Sequence, residues 1–592
     1  MGRKSKCCKS KHESESCSKK EYDYIIIGDG AAGSLMARKL SDPITNGNCV
    51  KNPRVLVLER GANEIQQFGY PTNPLILDTK LFVASAFVNP SSTLRQLTDN
   101  PLYAQKYTVS LNSTTSNPLL LPRTYSYSTG NGWGGGSSHF YMVAYRGSKH
   151  VWDEYAAINA NSTWSYNALL PVFKAIETYT PNTGGCFDPT QRGSNGPISI
   201  IQSTPGSVVA AEPVLNAFAT APNVSVGFCC DQNSATQPAI GVSSFQAYQT
   251  TPVANSVGQY RSWSHNSFLP IGTIINTDGQ GLNGRKLTIK SNSLVNRILF
   301  QGTKAVGVEY ISTVTSETIQ VFGKQIILAA GAIQDPMILQ RSGVGDATLL
   351  SSLGIPVVLA NSNVGAHMNG TTNALVLYSG TTFGLPAAIV NMDLHDTSLP
   401  ISDPFYYPAD GVRRIYNIIF DGSIFNVPGK VGSNLGVCRS NYDGTIQITS
   451  TNPTIAPVIN IDLFGDDTTG LVNGSALNKL MAATRIVEKA VTTIGATMFS
   501  PTSAVISNDG LLRDFFLKGA NIQSHQLGTC RFGTSAATAV VDSRLNIFGL
   551  QNLKIADLSI YPYTIDGNPM TSAIIAGLKC VESFGVPLNP IL

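Results

Sequence analysis

The chain has few charged residues: they make up only 13% of its 592 residues, whereas hydrophobic residues make up 42%. This balance excludes a largely disordered protein, because disordered segments combine high charge with low hydrophobicity. Much of the formal net charge of +4 lies in residues 1–20, which hold seven Lys or Arg side chains and two Glu. The remainder is close to neutral, so only this basic tail could supply a nucleic-acid surface.

Long hydrophobic runs are also lacking. No stretch approaches the ~20 apolar residues that a membrane-spanning helix needs. The first ten residues, MGRKSKCCKS, are basic but lack the apolar core of a secretory signal. We therefore expect no membrane span, no secretory signal and an intracellular protein.

Cysteine is sparse and scattered. The sequence has ten cysteines, and none of them forms a CxxC pair with the spacing of a zinc site. We expect no metal site, and we interpret the cysteines of the body as reduced, mostly buried thiols. Cys7, Cys8 and Cys17 differ because they lie in the basic tail, which is predicted to be disordered; inter-chain disulfides are an open alternative there.

What is present begins with a β-α-β unit. The segments YDYIIIG (22–28) and RVLVLE (54–59) have the apolar, β-branched composition of buried parallel strands, and a helix is predicted between them. Further strands are predicted within 287–331 and at 553–557. The predicted fold class is α/β (α+β overall): a Rossmann-like dinucleotide-binding domain with a second, discontinuous substrate domain that contains an antiparallel sheet.

Both domains are predicted to be assembled from separated stretches. The regions between the nucleotide-binding strands are rich in turn residues and alternating strand patterns, which is typical of a substrate domain. The predicted boundaries are 1–20 for the tail, 21–180, 271–365 and 516–592 for the nucleotide domain, and 181–270 and 366–515 for the substrate domain.

A dinucleotide motif follows the first strand. Gly28, Gly30 and Gly33 form G-x-G-x-x-G, whose glycines allow a tight turn and a close approach of backbone to a pyrophosphate at a helix N-terminus. Glu59 ends the second strand and is followed by Arg60, a position where an acid accepts hydrogen bonds from ribose hydroxyls. These residues predict a dinucleotide site without deciding which dinucleotide binds.

Three further segments resemble the signatures of the glucose-methanol-choline (GMC) oxidoreductases, in that family's order. They are GWGGGSSHFYMVAYRGS (132–148), GKQIILAAGAIQDPMILQRSGVG (323–345), and a C-terminal stretch containing HQLGTCRFG (525–533) and NPMTSAIIAG (568–577). The resemblance runs from about residue 22 to 585. It implies FAD as the cofactor and removal of a hydride from the CH–OH group of a small alcohol.

The resemblance also implies a set of cofactor-binding residues. Val295 corresponds to the backbone contact with adenine, and Asp557 to the aspartate before the last turn beside the flavin. The residues expected to bind FAD are Gly28, Gly30, Ala31, Ala32, Gly33, Glu59, Arg60, Gly135, Ser138, His139, Val295, Ala330, Gly331, Asp557, Asn568 and Pro569.

His139 carries a sharper expectation. The run Gly-Gly-Gly-Ser-Ser-His (134–139) is similar to that of choline-oxidase-like members, in which this histidine is bonded covalently to the flavin. The alternative is a histidine that only hydrogen-bonds near the flavin ring.

The catalytic residues implied by the resemblance are His525 and Asn568. Histidine suits the removal of a hydroxyl proton at neutral pH, and a neutral amide can donate to the developing alkoxide. The chain departs from the family at Ser524, at Phe140 and in the run 364–370, where His367 stands and an Asn and an Asp are lost. Cofactor binding is expected to survive these departures, whereas turnover is left open.

Two other functions stay open at this point. One is a structural or packaging virion protein, as in giant-virus (mimivirus-like) members of the family, that self-assembles and contacts nucleic acid through the basic tail. The other is a lyase that keeps FAD as a bystander. The substrate is not identified, although Phe140, Tyr141 and Tyr563 near the motifs would favour an apolar or aryl alcohol.

Overall fold

The computed structural model describes most of the chain. The described residues are 21–43, 52–63, 104–112, 122–138, 140, 142–182, 186–202, 212–249, 262–379, 388–421, 427–440, 442–465 and 467–587. Within them, the α-helices are α1 Ala31–Leu40, α2 Lys149–Ile158, α3 Tyr166–Ile176, α4 Pro213–Thr220, α5 Ser264–Phe268, α6 Gly331–Arg341, α7 Ala347–Ser352, α8 Ala476–Thr492, α9 Ser503–Ile506, α10 Asp509–Gly519 and α11 Met570–Ser583.

Short 3-10 helices cover Gly135–Ser138, Ser162–Trp164 and Leu558–Ile560. The strands are β1 Tyr22–Ile27, β2 Arg54–Leu58, β3 Ala104–Leu111, β4 Arg123–Gly130, β5 Glu177–Thr180, β6 Ile198–Gln202, β7 Gly241–Ser244, β8 Gln246–Ala247, β9 Lys286–Lys290, β10 Ser293–Gln301, β11 Lys304–Ser312, β12 Thr318–Leu328, β13 Val344–Gly345, β14 Leu359–Ala360, β15 Thr372–Tyr378, β16 Ala388–Met392, β17 Ile415–Asp421, β18 Val431–Val437, β19 Asp443–Gln447, β20 Val458–Asp462, β21 Met498–Ser500, β22 Asn521–Ile522 and β23 Leu553–Ile555.

A seven-stranded sheet carries the predicted nucleotide site. Five strands run parallel in the order β23-β12-β1-β2-β9, and β10 and β11 continue from β12 as antiparallel strands. The strand β12 is long enough to serve both parts: Thr318–Phe322 pairs with β11 and Gly323–Leu328 with β1. The predicted β-α-β unit therefore lies at the centre of this sheet.

A second, fully antiparallel sheet forms the other half of the molecule. Its strands are ordered β21-β15-β18-β17-β16-β7, and β22 also pairs with β15. One face packs with α4 and α8 in a hydrophobic cluster of its own. Side chains of the opposite face, including Ile389, Tyr416 and Phe420, belong to the cluster that surrounds the parallel sheet. The second sheet therefore covers the first.

Smaller sheets join these two layers. One has the order β19-β20-β3-β4 and another the order β5-β6-β8, while β13 and β14 form a two-stranded pair. The fold class predicted from the sequence, with a Rossmann-like sheet and a second antiparallel one, is confirmed. The predicted domain boundaries stay a prediction; α5, which they assign to the substrate domain, contacts the nucleotide motif through His265.

One expectation about cysteine was wrong. Cys186 and Cys230, interpreted as reduced thiols, form a disulfide across 44 residues of sequence. Cys229, Cys438 and Cys530 are buried free thiols, as is Cys580. The spacing of these residues carries no signal for the pairing, because only the fold brings the two segments together. The tail cysteines lie outside the described residues.

Over the part of the chain that the structure describes, no helix combines the length and apolar character that crossing a membrane requires.

Candidate flavin site and catalytic pair

The predicted cofactor residues gather at one edge of the parallel sheet. Gly28 follows β1, Glu59 follows β2, Ala330 follows β12 and Asp557 follows β23. The carboxyl ends of parallel strands meet at this edge, which is where open α/β sheets bind their ligands. The fold therefore brings together residues that are up to about 530 positions apart in the sequence.

The glycine turn is shaped by two close backbone approaches. Gly28 has φ +100°, and a Cβ at this residue would lie 2.5 Å from the Ala329 carbonyl oxygen. A Cβ at Gly33 would lie 2.0 Å from the carbonyl oxygen of Gly28. Because Gly30, the N-cap residue of α1, supplies no side-chain cap within the described residues, the first amides of this helix, with Ala31 and Ala32, can bind an anion.

The side chain of Glu59 is hydrogen-bonded to the backbone of three loops. Its buried carboxylate accepts hydrogen bonds from the backbone N–H groups of Asp29 (3.0 Å), Gly61 (2.8 Å) and Gly132 (3.1 Å). Burial raises the pKa of Glu59, and the bonds from Asp29 and Gly61 act in the opposite direction. The neighbouring Arg60 donates through Nε to Asn131 Oδ1 at 3.0 Å.

The glycine-rich loop 132–138 lies directly on the glycine turn. A Cβ at Gly135 would lie 3.0 Å from Gly30 Cα, and one at Gly134 would overlap the Trp263 ring. Ser138 Oγ donates to the Gly135 carbonyl at 2.8 Å, which closes the 3-10 turn. His139 and Tyr141 lie outside the described residues, so the covalent flavin link stays a prediction.

A buried histidine that the sequence did not single out contacts this turn. His265 Nδ1 lies 2.6 Å from Asp29 Oδ2, and both side chains are almost fully buried. The His265 ring stacks on Trp133, with ring centroids 4.5 Å apart. Asp29 is the first variable residue of the glycine motif and His265 follows it by 236 positions, so no local pattern could have linked the two.

Two buried carboxyl groups meet beside Ala330 and Gly331. Asp335 Oδ1 accepts from Ala330 N at 2.9 Å, and Asp557 Oδ2 accepts from Gly331 N at 2.5 Å. Burial, together with the nearby Asp557, holds the pKa of Asp335 well above its usual range. Asp557 was predicted from the sequence, whereas Asp335 was not, because no motif marks it.

The expected adenine contact lies beside the expected ribose contact. Ser293 N donates to the Glu59 carbonyl at 2.8 Å, which places the start of β10, with Val295, next to Glu59. The carbonyl of Val295 accepts from Arg341 Nη2 at 3.4 Å. Val295 is buried, and β10 is the edge strand of its sheet.

The two predicted catalytic side chains contact each other. Asn568 Nδ2 lies 3.2 Å from His525 Nε2, and Thr371 Oγ1 lies 3.3 Å from His525 Nδ1. An amide NH₂ only donates, so Nε2 is the acceptor and Nδ1–H donates to Thr371. Burial lowers the pKa of His525 from 6.5 to about 4, so the imidazole is neutral at neutral pH and its Nε2 lone pair faces the Asn568 amide.

Backbone pairing positions His525. Gln523 N donates to the Thr371 carbonyl at 2.9 Å, and His525 N donates to the Gln523 carbonyl at 2.8 Å. Tyr416 donates to Gln523 Oε1 at 2.5 Å and is also hydrogen-bonded to the Thr371 side chain. Thr371 and Tyr416 were missed by the sequence analysis, because Thr and Tyr are common in strands and no motif marks them. Pro569 is the N-cap residue of α11, which fixes Asn568 at the start of that helix.

The run 364–370, which departs from the family pattern, still supports the pair. His367 has φ +58°, and its Nδ1 lies 3.1 Å from Oδ2 of the exposed Asp443. A Cβ at Gly370 would lie 3.2 Å from the His525 carbonyl oxygen, so the chain passes close behind the catalytic histidine.

The residues present fit a flavin dinucleotide. Gly331 has φ +91°, and no atom of the described residues lies within 4 Å of where its Cβ would be, so the backbone beside Asp557 can be approached closely. Asn568 Oδ1 is buried and has no hydrogen-bond partner among the described residues, and the N-terminus of α1 has no side-chain cap. A polar, ring-bearing cofactor that presents a phosphate to α1 and a polar edge near Asn568 satisfies these groups.

Structural comparison finds the same fold in several flavoenzymes and oxidases. Pyridoxine 4-oxidase from Mesorbium loti matches with a TM-score of 0.72 at 21% identity, over 95% of this chain and 99% of that chain. A fungal aryl-alcohol oxidase matches with a TM-score of 0.71 at 17% identity, over 96% and 99%. At these identities the likeness establishes the fold.

Sequence comparison finds relatives along the whole chain. The oxygen-dependent choline dehydrogenase of Yersinia pestis bv. Antiqua (strain Antiqua) is 27% identical over 595 aligned positions, which cover 95% of this chain and 93% of the relative. The protein of the same name from Pseudomonas entomophila (strain L48) is also 27% identical, with the same coverage. These relatives are named as enzymes, and they give the packaging alternative no support.

Two family models match the chain. The N-terminal GMC oxidoreductase model matches residues 22–395, more than half of the chain, and the C-terminal one matches 440–577. These matches confirm the expectations of FAD as the cofactor and of an oxidoreductase that acts on a CH–OH group. The chain therefore belongs to the GMC oxidoreductase family.

Proposed function

We propose that this chain oxidises a primary alcohol, with His525 as the base and Asn568 as the donor to the substrate oxygen. The observation that carries the proposal is a pair of hydrogen bonds, one between Asn568 Nδ2 and His525 Nε2 and one between His525 Nδ1 and Thr371 Oγ1. These bonds place the basic Nε2 of His525 beside the N–H of the Asn568 amide. A hydroxyl group needs both, one to take its proton and one to stabilise the oxygen that is left.

The division of labour follows from the chemistry of the groups. Bound FAD supplies the acceptor for the hydride that leaves the alcohol carbon. His525 Nε2 takes the hydroxyl proton, Thr371 holds the opposite ring nitrogen as the N–H tautomer, and Asn568 Nδ2 donates to the oxygen as negative charge develops. Both side chains are partly buried, which strengthens these interactions relative to water.

The substrate class is supported by the relatives. Choline, pyridoxine and aryl alcohols, which are named for the related or similarly folded proteins, all carry a primary CH₂OH group. We take the shared group, and not any one of these compounds, as the substrate feature that this chain recognises.

The cofactor contacts are part of the same proposal. Gly28, Gly30 and Gly33, with the uncapped N-terminus of α1, would hold the pyrophosphate, and Glu59 the ribose. Val295 would bind adenine through its backbone, and Arg60 would lie beside Glu59. The residues along the flavin half would be Gly135, Ser138, His139, Ala330, Gly331, Asp557, Asn568 and Pro569.

A covalent link between His139 and the flavin is proposed on the sequence run 134–139 alone. Acid precipitation tests it: flavin absorbance should stay with the protein pellet, and a His139→Ala variant should release it to the supernatant. Quantitative release of FAD from the unmodified protein would contradict the link.

The experiment that tests the proposed reaction is anaerobic titration of the purified protein with primary alcohols, followed by flavin absorbance. Bleaching should occur in the unmodified protein and be lost in His525→Ala, whose bound flavin should remain. Unchanged bleaching in His525→Ala would contradict the role of the base. Bound flavin that no alcohol bleaches, with cyanohydrin cleavage instead, would favour a lyase.

Assembly, nucleic-acid contact and place in the cell stay proposals. The basic excess of residues 1–20 motivates non-specific contact with phosphates, which should weaken steeply with salt and be lost when the tail is removed. An intracellular or virion-associated place was predicted from the sequence. The disulfide Cys186–Cys230 favours oxidising surroundings over a reducing cytosol, because disulfides persist mainly where the surroundings are oxidising.

A further inference from the structure

The face of the antiparallel sheet that bears Thr371 continues away from the catalytic histidine. Thr371 contacts His525 immediately before β15 begins, and alternate residues of a strand point to the same face. Asn373 and Leu375 therefore follow Thr371 on that face. The hydrophobic clusters agree, since Leu375 packs against the cluster of the parallel sheet whereas Ala374 and Val376 belong to the other one.

The pairing register extends this face across neighbouring strands. Leu375 pairs with Asn434 of β18, and Asn434 pairs with Ile418 of β17, so the three form one row. Asn373 lies one row nearer to Thr371, opposite Gly436. Directly paired residues share a face, which makes these rows a continuous wall beside His525.

This wall is open. Asn373, Leu375, Ile418 and Asn434 are each partly exposed. The residues that flank them on the same strands are buried: Thr372, Ala374, Val376, Asn417, Ile419, Ser433 and Leu435. Exposure confined to alternate positions, deep within a sheet and next to the catalytic pair, indicates a substrate chamber over this face.

The wall carries no ionisable group at these four positions, but it carries a pair of amides. Asn373 Nδ2 donates to Asn434 Oδ1 at 3.0 Å, which leaves Asn434 Nδ2 as a donor. Asn373 Oδ1 is buried and has no hydrogen-bond partner within the described chain. A buried acceptor without a hydrogen bond destabilises the protein unless a ligand supplies the missing donor. A ligand hydroxyl, which both donates and accepts, can satisfy the two groups together.

We infer that Asn373 and Asn434 bind a second, uncharged hydroxyl group of the substrate, so that this chain prefers a neutral diol or polyol to an apolar alcohol or to choline. A trimethylammonium group donates no hydrogen bond and is recognised by carboxylates or exposed aromatic faces, and the four wall positions carry neither. The aromatic residue in the row of Asn373 and Gly436 is Tyr416, which is fully buried with its ring against Gly436. The inference rests on the proposed function, because it assigns the remote part of the same alcohol.

The test compares alcohols of equal size. α,ω-Diols of three to six carbons are matched with n-alcohols in which a methyl group replaces the distal hydroxyl, and choline is matched with its carbon isostere, 3,3-dimethylbutan-1-ol. The unmodified protein should show at least one diol with kcat/KM about tenfold above its matched alcohol. Asn434→Leu should abolish that ratio by lowering kcat/KM of the diol to that of its matched n-alcohol.

A substitution that creates a preference for a cationic alcohol tests the inference independently. Asn434→Asp keeps the shape and adds a negative charge, so it should raise the ratio of choline to 3,3-dimethylbutan-1-ol and tighten the binding of tetramethylammonium, measured by calorimetry. Asn452→Asp is the charge-matched control: Asn452 Oδ1 accepts from Thr454 N at 3.0 Å in an exposed turn, so an aspartate fits there and neither ratio should change.

Failure of the inference is distinguishable from failure of the proposed function. If no alcohol bleaches the flavin of the unmodified protein, the proposed oxidation itself fails. If alcohols are oxidised but diols have no advantage, or if both Asn434 variants keep the unmodified ratios, the amide pair does not bind the substrate and the inference is overturned.

Discussion

Asn568 Nδ2 lies 3.2 Å from His525 Nε2, so the amide acts as the donor and the imidazole as the acceptor. This relationship fixes the tautomer of the histidine before any substrate binds, because the only ring N–H is then at Nδ1, facing Thr371. The predictions on the catalytic pair follow from that arrangement.

The first prediction concerns pH. Burial lowers the pKa of His525 to about 4, so the rate constant of flavin reduction by a saturating alcohol should fall with an apparent pKa near that value and not near 6.5. Stopped-flow absorbance from acid to neutral pH measures it. An acid limb centred near the ordinary histidine value would show that the ring is solvated.

The free energy of unfolding should also depend on the protonation of His525, and it should decrease as the pH falls. The folded-state pKa of His525 is lower than the unfolded value, so the unfolded chain takes up a proton first as the pH falls. The free energy of unfolding therefore decreases between the ordinary value of 6.5 and about 4. A glutamine cannot titrate, so His525→Gln should lose this part of the pH dependence. Denaturant titrations at pH 6.5 and at about pH 4 measure the free energy of unfolding of both proteins.

The second prediction tests Thr371 as a positioning residue. Thr371→Val keeps the shape but removes the hydroxyl that accepts from His525 Nδ1, so the flavin-reduction rate should fall by about three- to tenfold, the equivalent of one net hydrogen bond. The apparent dissociation constant of the alcohol should not change, and Thr371→Ser should restore the rate.

Thr372→Val is the matched control for this substitution. Thr372 is the adjacent residue, and its buried Oγ1 has no hydrogen-bond partner among the described residues. Loss of that hydroxyl should leave the rate unchanged and should not lower the melting temperature. An equal loss of rate in both variants would mean that the strand, and not the Thr371 hydroxyl, matters.

The sequence predicted those parts of the site that lie in contiguous motifs. Gly28, Gly33 and Glu59 stand at strand ends, where composition and spacing alone indicate a nucleotide edge, and they meet there as expected. Asp29–His265 could not be predicted in this way, because the partners lie on elements whose contact exists only after folding. The same holds for Thr371, which is one threonine among many until β15 places it against His525.

The third prediction concerns Glu59. Its carboxylate accepts three backbone N–H groups, whereas a glutamine offers one acceptor oxygen and would turn its own NH₂ toward a donor. Glu59→Gln should therefore destabilise the protein by about 2–4 kcal/mol and weaken FAD retention. Thermal unfolding and the FAD dissociation constant measure the two effects.

Glu317→Gln serves as the control for this substitution. Glu317 is exposed and its Oε2 accepts from Thr315 Oγ1, so the change should affect stability by less than about 0.5 kcal/mol and leave FAD binding unchanged. If Glu59→Gln were equally harmless, the carboxylate would not organise the loops that meet at the glycine turn.

The fourth prediction concerns the disulfide. Cys186–Cys230 closes a loop of 44 residues, and its loss should lower the free energy of unfolding by about 2–4 kcal/mol through the larger entropy of the unfolded chain. Cys186→Ser, Cys230→Ser and the double variant remove the same bond, so all three should melt at the same lowered temperature and be insensitive to reductant. Cys229→Ser keeps the disulfide and should remain sensitive to it.

The segment that the disulfide closes includes Asn233, whose side chain accepts from Arg146 N at 2.7 Å, within the segment 132–148 that resembles a GMC signature. Reduction should therefore also speed the release of FAD, which flavin fluorescence detects; if reductant leaves both the melting temperature and FAD release unchanged, the disulfide does not stabilise this region.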